Sequence, residues 1–253
     1  MRAGTEALSS EQRAAADAGQ KGMMPVAGRP LLDFVLHELA EGGVREVVFV
    51  LAPDEAAIRD RYARVAPPSR LGVRFAMQRE PRGTADALLA ARSEVGDADF
   101  LMLNADNLYP AESVRAMVTL GGPGLVAYEA EGLVAMANIP LERVKQFALL
   151  DLAPDGTLLT IVEKPSPGHP LLGAKERWVS MNLWRFDASI FADCTAVTPS
   201  VRGELELVDA VRAAIAHGVR FTAVRQRLGV LDLSNRGDVA AVETRLAGQA
   251  PHP

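Results

Sequence analysis

The chain has 253 residues, of which 49% are hydrophobic and 23% charged, with a formal net charge of −5. That length and balance exclude disorder over most of the chain, and the acidic balance weighs against a nucleic-acid or anionic-membrane binder. A single cysteine, Cys194, excludes a disulfide framework and a cysteine-built zinc site; a reducing cytoplasm is the expected setting, with no visible signal peptide and no apolar run near the roughly 20 residues of a membrane span.

In chain order, Ser9 and Ser10 open a short capped helix that Gly19 closes. A turn-rich segment, 21–29, precedes a helix that starts at Pro30, carries Leu31, Leu32, Val35, Leu36 and Leu39 at helical spacing and stops at Gly42-Gly43. The run Val47-Val48-Phe49-Val50-Leu51 predicts a buried strand. A helix over 55–64, a strand over 73–77 and a helix over 84–95 follow. Phe100-Leu101-Met102-Leu103 predicts a second buried strand ending at Asn104-Ala105-Asp106. A helix over 111–120 and a strand over 125–128 complete an alternation that argues for a parallel sheet covered by helices.

The second half differs. Segments 147–152 and 158–162 flank Pro154-Asp155-Gly156 as a β-hairpin. A Pro/Gly loop over 166–173, a strand over 178–186, a helix over 204–217, short strands over 221–224 and 230–233 and a helix over 238–246 follow. The whole reads as one α/β domain of 253 residues: an N-terminal connection (1–20), a first part (21–128), a second part with a hairpin-containing lobe (129–247) and a frayed tail (248–253) that includes His252.

Ligands of open parallel sheets bind beyond the C-terminal strand ends. Asp106 follows such a strand, where it can face a metal or simply form a turn. Asp232 lies between apolar neighbours in Val230-Leu231-Asp232-Leu233 and is expected to pair with a cation or donor. Two such carboxylates at one edge suit Mg²⁺. Gly83, before the helix that begins at Thr84, allows close backbone approach by a ligand or serves only as a turn. Only four of the 27 basic residues are lysine: Lys21, Lys145, Lys164 and Lys175. Each marks a place where a compact ammonium could matter, chance in an arginine-rich chain being the plain alternative. The phosphate-binding G-x-x-x-x-G-K-[ST] and nucleophile G-x-S-x-G motifs are absent from the sequence.

Six stretches, in order, resemble the sugar-phosphate nucleotidyltransferase family, which includes glucose-1-phosphate thymidylyl- and uridylyltransferases and mannose-1-phosphate guanylyltransferases. They are Lys21-Gly22-Met23-Met24-Pro25-Val26 running on to Arg29-Pro30-Leu31-Leu32, Pro81-Arg82-Gly83-Thr84-Ala85, Leu103-Asn104-Ala105-Asp106, Ile161-Val162-Glu163-Lys164-Pro165, Arg202-Gly203-Glu204-Leu205-Glu206 and Val230-Leu231-Asp232-Leu233. The resemblance implies a Rossmann-like, mixed but mainly parallel sheet flanked by helices, with a sugar-binding lobe. It implies attack of a sugar-1-phosphate on the α-phosphate of a nucleoside triphosphate, with release of pyrophosphate. Lys21 then neutralises phosphate, and Asp106 and Asp232 hold Mg²⁺ and complete the catalytic set. Gln78, Gly83 and Thr84 bind the nucleotide within the 21–128 part. Glu163, Lys164 and Asn182 bind the sugar phosphate within the 129–247 part. The implied partners are these small molecules, with homo-oligomerisation left open.

The sequence departs from the family pattern in places. The family opens with a strand and a G-x-G-T-R phosphate loop; here Gly4-Thr5-Glu6 is either a decayed copy or part of the connection to Lys21, and the loop is expected to be missing. The family's Tyr-Gly-Val reads Phe147-Ala148-Leu149, the Gly after the second metal Asp reads Ser234, and Asn182 stands where the sugar-binding strand usually carries Gly. Two alternatives remain: a catalytically impaired relative that senses or scaffolds nucleotide or sugar phosphate, and an enzyme with another acceptor such as phosphocholine. The 5% aromatic content offers little toward the aromatic cage that the latter favours.

Overall fold

A capping box opens the computed structural model, which describes residues 8–17 and 21–253. Ser9 N–H donates to Gln12 Oε1 and Gln12 N–H to Ser9 Oγ, at 3.0 and 3.2 Å, starting α1 (Ser10–Asp17). The Gly4-Thr5-Glu6 remnant lies outside the described residues. Strands β1 (Pro25–Val26) and β2 (Arg29–Pro30) form a hairpin. Its central Ala27 and Gly28 both have positive φ, 49° and 80°, as a type I′ turn requires. Helix α2 (Leu31–Glu41) follows.

Strand β3 (Glu46–Leu51), helix α3 (Ala56–Asp60) and strand β4 (Gly72–Met77) form a βαβ unit with parallel pairing. The helix expected over 55–64 ends early, in a wider turn over Arg61–Val65. Helices α4 (Thr84–Ala90) and α5 (Arg92–Val95) replace the single helix expected over 84–95. Strands β5 (Phe100–Met102) and β6 (Asn107–Leu108) lead to α6 (Ala111–Val118) and β7 (Gly124–Glu129). The sequence reading missed α7 (Ala130–Met136) and α8 (Leu141–Val144). The expected hairpin forms from β8 (Ala148–Leu152) and β9 (Leu158–Val162). The long β10 (Trp178–Phe186) precedes α9 (Ile190–Ala196), also missed, and α10 (Leu207–Ala216). Strands β11 (Thr222–Gln226) and β12 (Leu231–Asp232) and helix α11 (Asp238–Leu246) close the chain.

The expected α/β architecture, a mixed sheet flanked by helices, is present, with the parallel pairing among the described residues confined to β11–β7 and to the separate β3–β4 pair. Six strands join in the order β11-β7-β10-β8-β9, with β5 also on β10. Pairing is parallel between β11 and β7 and antiparallel at the others. Alternation along β7 divides the core: Val126 and Tyr128 enter one apolar cluster, Leu125 and Ala127 the other, because successive side chains take opposite faces.

Two expectations need correction. Neither β3 nor the strand at 100–103 is buried throughout: Val47, Val48 and Val50, and all of Phe100–Leu103, are only half-buried. Among the described residues, β3 pairs only with β4 and β5 only with β10. Each is therefore an edge, and an apolar run alone does not tell an edge from a central strand. The tail, expected to fray, is docked: Pro251 is buried and Pro253 O accepts from Ser69 N at 2.9 Å.

Candidate active site

Asp106 and Asp232 lie 126 positions apart in sequence, and the short antiparallel ladder between β6 and β12 brings their segments together. Asp232 pairs with Asn107, the residue after Asp106, and Leu233 N donates to Asp106 O at 3.0 Å. Lys21, on the turn Lys21–Met23, reaches Asp106 Oδ2 at 2.6 Å. Both partners are partly exposed, so this ion pair is open to a ligand. Three of the residues singled out from sequence thus form one cluster.

Asp232 is enclosed. Its Oδ1 accepts from Asn107 Nδ2 at 3.0 Å and Ser234 Oγ at 2.7 Å, and its Oδ2 accepts from Arg143 Nη1 at 2.8 Å. Burial raises the carboxyl pKa, Ser234 pulls it down, nearby Asp106 adds to the rise, and Arg143 opposes it. Asn138 clamps the Asp232 backbone from both sides, giving Nδ2–H to its oxygen at 2.7 Å and accepting its N–H at 2.8 Å. The serine that replaces the family's glycine thus has a partner of its own here. Asn138 and Arg143 carried no signal in the sequence, each a common polar residue in a segment without a motif, and Asn107 stands at an unspecified position just after Asp106.

Met181, the residue before Asn182, joins this cluster through Tyr109, while Asn182 Oδ1 accepts from Trp184 Nε1 at 3.4 Å. The Tyr109 hydroxyl is buried, donates to Met181 O and stands 3.4 Å from Asn107 Oδ1. On β10, Ser180 pairs with Ala127 and Trp184 with Leu125, so three residues bulge opposite one. Asn182 sits in that bulge with φ of 60°. This left-handed conformation explains the glycine expected there, and asparagine is among the few other residues that adopt it readily.

A second group surrounds the loop after β4. Gly83 has φ of 117° and ψ of −179°, a region essentially confined to glycine. Its neighbours clasp one residue: Leu205 N donates to Arg82 O at 2.6 Å, and Ala85 N donates to Leu205 O at 2.9 Å. Gln78 Nε2 donates to Gly83 O at 3.0 Å and Asp86 Oδ2 at 2.9 Å, which leaves Oε1 without a partner among the described residues. Thr84 Oγ1 accepts from Leu207 N at 2.9 Å and so caps α10. The clasp holds 204–206 extended, which is why α10 begins three residues later than expected.

The same clasp brings the third group alongside. Glu163 and Lys164 follow β9, and Lys164 has φ of 43°. Arg202 holds Glu206 at 2.6 Å and lies 3.9 Å from Glu163. Burial and the neighbouring Glu206 raise the Glu163 pKa, against Arg202, Lys164 and Arg212. Two surface clefts, of about 270 and 250 Å³, are lined by none of the candidate catalytic or binding residues.

The family model described as nucleotidyl transferase matches residues 16–233, and the chain belongs to that family. It is 30% identical over 211 residues to a glucose-1-phosphate thymidylyltransferase of Streptomyces griseus, across 81% of this chain and 54% of that relative. It is 27% identical to the UTP–glucose-1-phosphate uridylyltransferase AglF of Haloferax volcanii, across 89% of this chain and 87% of that relative. The chain spans about half the length of several curated relatives it matches. A solved UDP-glucose pyrophosphorylase complexed with UDP-glucose shares the fold, with a TM-score of 0.71 at 17% identity over 89% of both chains. Among the described residues, no helix is long and apolar enough to cross a membrane.

Proposed function

We propose that this chain transfers a nucleotidyl group from a nucleoside triphosphate to a sugar-1-phosphate and releases pyrophosphate. The observation that carries the reading is the Lys21–Asp106 pair at 2.6 Å, set beside Asp232 by the β6–β12 ladder. The nucleophile, a phosphate oxygen, is already ionised at neutral pH, so no general base is asked of the protein. Its work is in-line positioning and charge neutralisation. Lys21 turns from Asp106 to the phosphates. The base is read by Gln78 through its unpartnered Oε1 and by the backbone at Gly83, while Thr84 holds that loop against α10. Glu163 accepts from sugar hydroxyls, Lys164 meets the sugar phosphate, and Asn182 faces the sugar from the bulge.

The donor set fits Mg²⁺. Asp106 keeps Oδ1 without a partner among the described residues, Asp232 brings a second carboxylate whose Oδ2 is held by Arg143, and Mg²⁺ takes one or two carboxylates together with waters and substrate phosphates. No group of three or more metal-type ligands occurs among the described residues, so substrate would complete the shell. When bound, the ion would neutralise triphosphate charge and orient the α-phosphate. The AglF and thymidylyltransferase likenesses support UTP or dTTP with glucose-1-phosphate as the first pairs to try.

Pyrophosphate release, measured over the common nucleoside triphosphates and hexose-1-phosphates, tests the reading. Lys21→Ala is expected to lower kcat by about 10²–10³-fold, and Asp106→Ala to abolish turnover. Full activity in Asp106→Ala refutes the assignment. Ligand binding without turnover in the unaltered chain replaces the enzyme reading with that of a sensor or scaffold.

A further inference from the structure

Arg143 divides its guanidinium unequally between two buried carboxylates. It holds Asp238 with two bonds, Nη2 to Oδ1 at 2.6 Å and Nη1 to Oδ2 at 3.0 Å, and Asp232 with one, Nη1 to Oδ2 at 2.8 Å. The side chains of Asp232 and Asp238 are 5% and 6% exposed, and buried carboxylates require a counter-charge. Asp238 has further support: its Oδ2 accepts from Asn235 N at 2.7 Å, and it opens α11, where the helix end favours negative charge.

Asp232 does not need Arg143 for its position. Asn138 fixes its backbone, and Asn107 and Ser234 fix Oδ1. Remove the guanidinium and the carboxylate stays aimed, with Oδ2 bare. A divalent cation at Oδ2 needs the same oxygen that Nη1 occupies, and the two positive charges repel. The bidentate hold on Asp238 lets Nη1 release Asp232 while the rest of the fork stays in place.

We propose that Arg143 is a built-in counter-cation for Asp232, occupying Oδ2 until a divalent cation displaces it and parked on Asp238 when that happens. This rests on the reading of Asp232 as a metal ligand in the proposed transfer. Arg143 is a positioning residue that sets how tightly the substrate-free protein takes up metal, so that the cation enters favourably together with the triphosphate rather than before it.

Mn²⁺ binding to the full, substrate-free chain, followed by electron paramagnetic resonance, tests this. Arg143→Met is expected to bind Mn²⁺ at least tenfold more tightly than the unaltered protein. Arg143→Lys, whose single ammonium cannot hold Asp238 bidentately and Asp232 together, is expected to gain threefold or more, and it decides the matter if Arg143→Met fails to fold. Asp238→Asn frees the fork toward Asp232 and is expected to weaken binding at least threefold, an effect that disappears in the Arg143→Met background. Unchanged or weaker binding in the Arg143 variants, or no Mn²⁺ binding in any of these proteins, overturns the proposal. So does an Asp238→Asn effect that persists undiminished without Arg143, which would be a through-space field. Pyrophosphate release plays no part in this assay. Turnover with unchanged Mn²⁺ affinities sinks the role of Arg143 alone, and Mn²⁺ shifts without turnover sink the proposed transfer alone.

Discussion

Gly83→Ala tests the architecture under the proposed base-reading loop. A Cβ built on Gly83 meets Leu205 O at 2.5 Å, N at 2.7 Å and C at 3.0 Å. All three are backbone atoms, so no side chain can swing away. The substitution also forces alanine into φ of 117°, a strain of about 1–3 kcal/mol. Relief requires opening the clasp, and its two hydrogen bonds contribute about 0.5–1.5 kcal/mol each. The expected loss is then about 2–6 kcal/mol, a large share of the roughly 5–15 kcal/mol that keeps a domain folded. At about 2–4 °C per kcal/mol for a chain of this size, Tm should fall by about 5–20 °C in a thermal melt followed by circular dichroism. Gly121→Ala serves as control, because Gly121 has nothing within 4 Å of its Cβ position and should melt with the parent. A Gly83→Ala protein melting within about 2 °C of the parent refutes the argument, since neither the strain nor the clasp would then be present.

Glu163 has a pKa raised by burial and Glu206, and the proposed sugar contact needs its ionised form. The kcat/KM for sugar phosphate should therefore fall as pH drops through a value above the ordinary glutamate range, and Glu163→Gln should remove that limb from the pH profile. The sign for stability is the opposite of that for a salt-bridged acid. The folded state holds the Glu163 proton more tightly than the unfolded chain does, so stability is full below the unfolded pKa and declines as pH rises to the folded one. Glu163→Gln should raise Tm at neutral pH and leave it unchanged in acid; a larger gain in acid contradicts the shift. Asn182→Val places a β-branched residue at φ of 60° and should cost about 1–3 kcal/mol in urea unfolding, whereas Asn182→Gly should be close to neutral. Equal stability of the two would show that the left-handed bulge is not kept.

Order and type of most elements were legible because local chemistry and tertiary packing agree in them. The Ser9–Gln12 box, the helix ended by Gly42-Gly43 and the hairpin turning at Gly156 are examples. Legibility failed where distant groups override local preference. Leu205 reads as helical, yet its peptide is spent on Arg82 and Ala85, which holds 204–206 extended. Val47-Val48-Phe49-Val50 reads as a buried strand, yet among the described residues its ladder is filled on one side only. The site divided in the same way. Lys21, Asp106 and Asp232 stand in motif-like segments and meet in the structure. Thr84, expected at the nucleotide, also caps α10 with its hydroxyl. Arg143, Asn138 and Tyr109 matter through partners from about 70 to 95 positions away, a distance at which sequence spacing says nothing.

The scarcity of lysine gains a physical meaning from the ion pairs. Arginine serves most of the buried carboxylates: Arg61 grips Asp33 with two bonds, Arg82 takes Asp86, Arg202 takes Glu206 and Arg143 spans Asp232 and Asp238, while Asp193 takes His217. A planar fork with several donors suits pairs that are meant to stay. Lys21 makes the contrasting choice, a single ammonium bond to the partly exposed Asp106. A point charge can leave one oxygen for another without a matched geometry, as a phosphate-neutralising group must in the proposed reaction. The composition does not single out Lys21, since Lys145 also pairs simply, with Glu142 on the surface. Arg143 breaks the division, because its fork is shared between two acids and only the Asp238 half is bidentate. That asymmetry gives an otherwise static arginine one bond it can release.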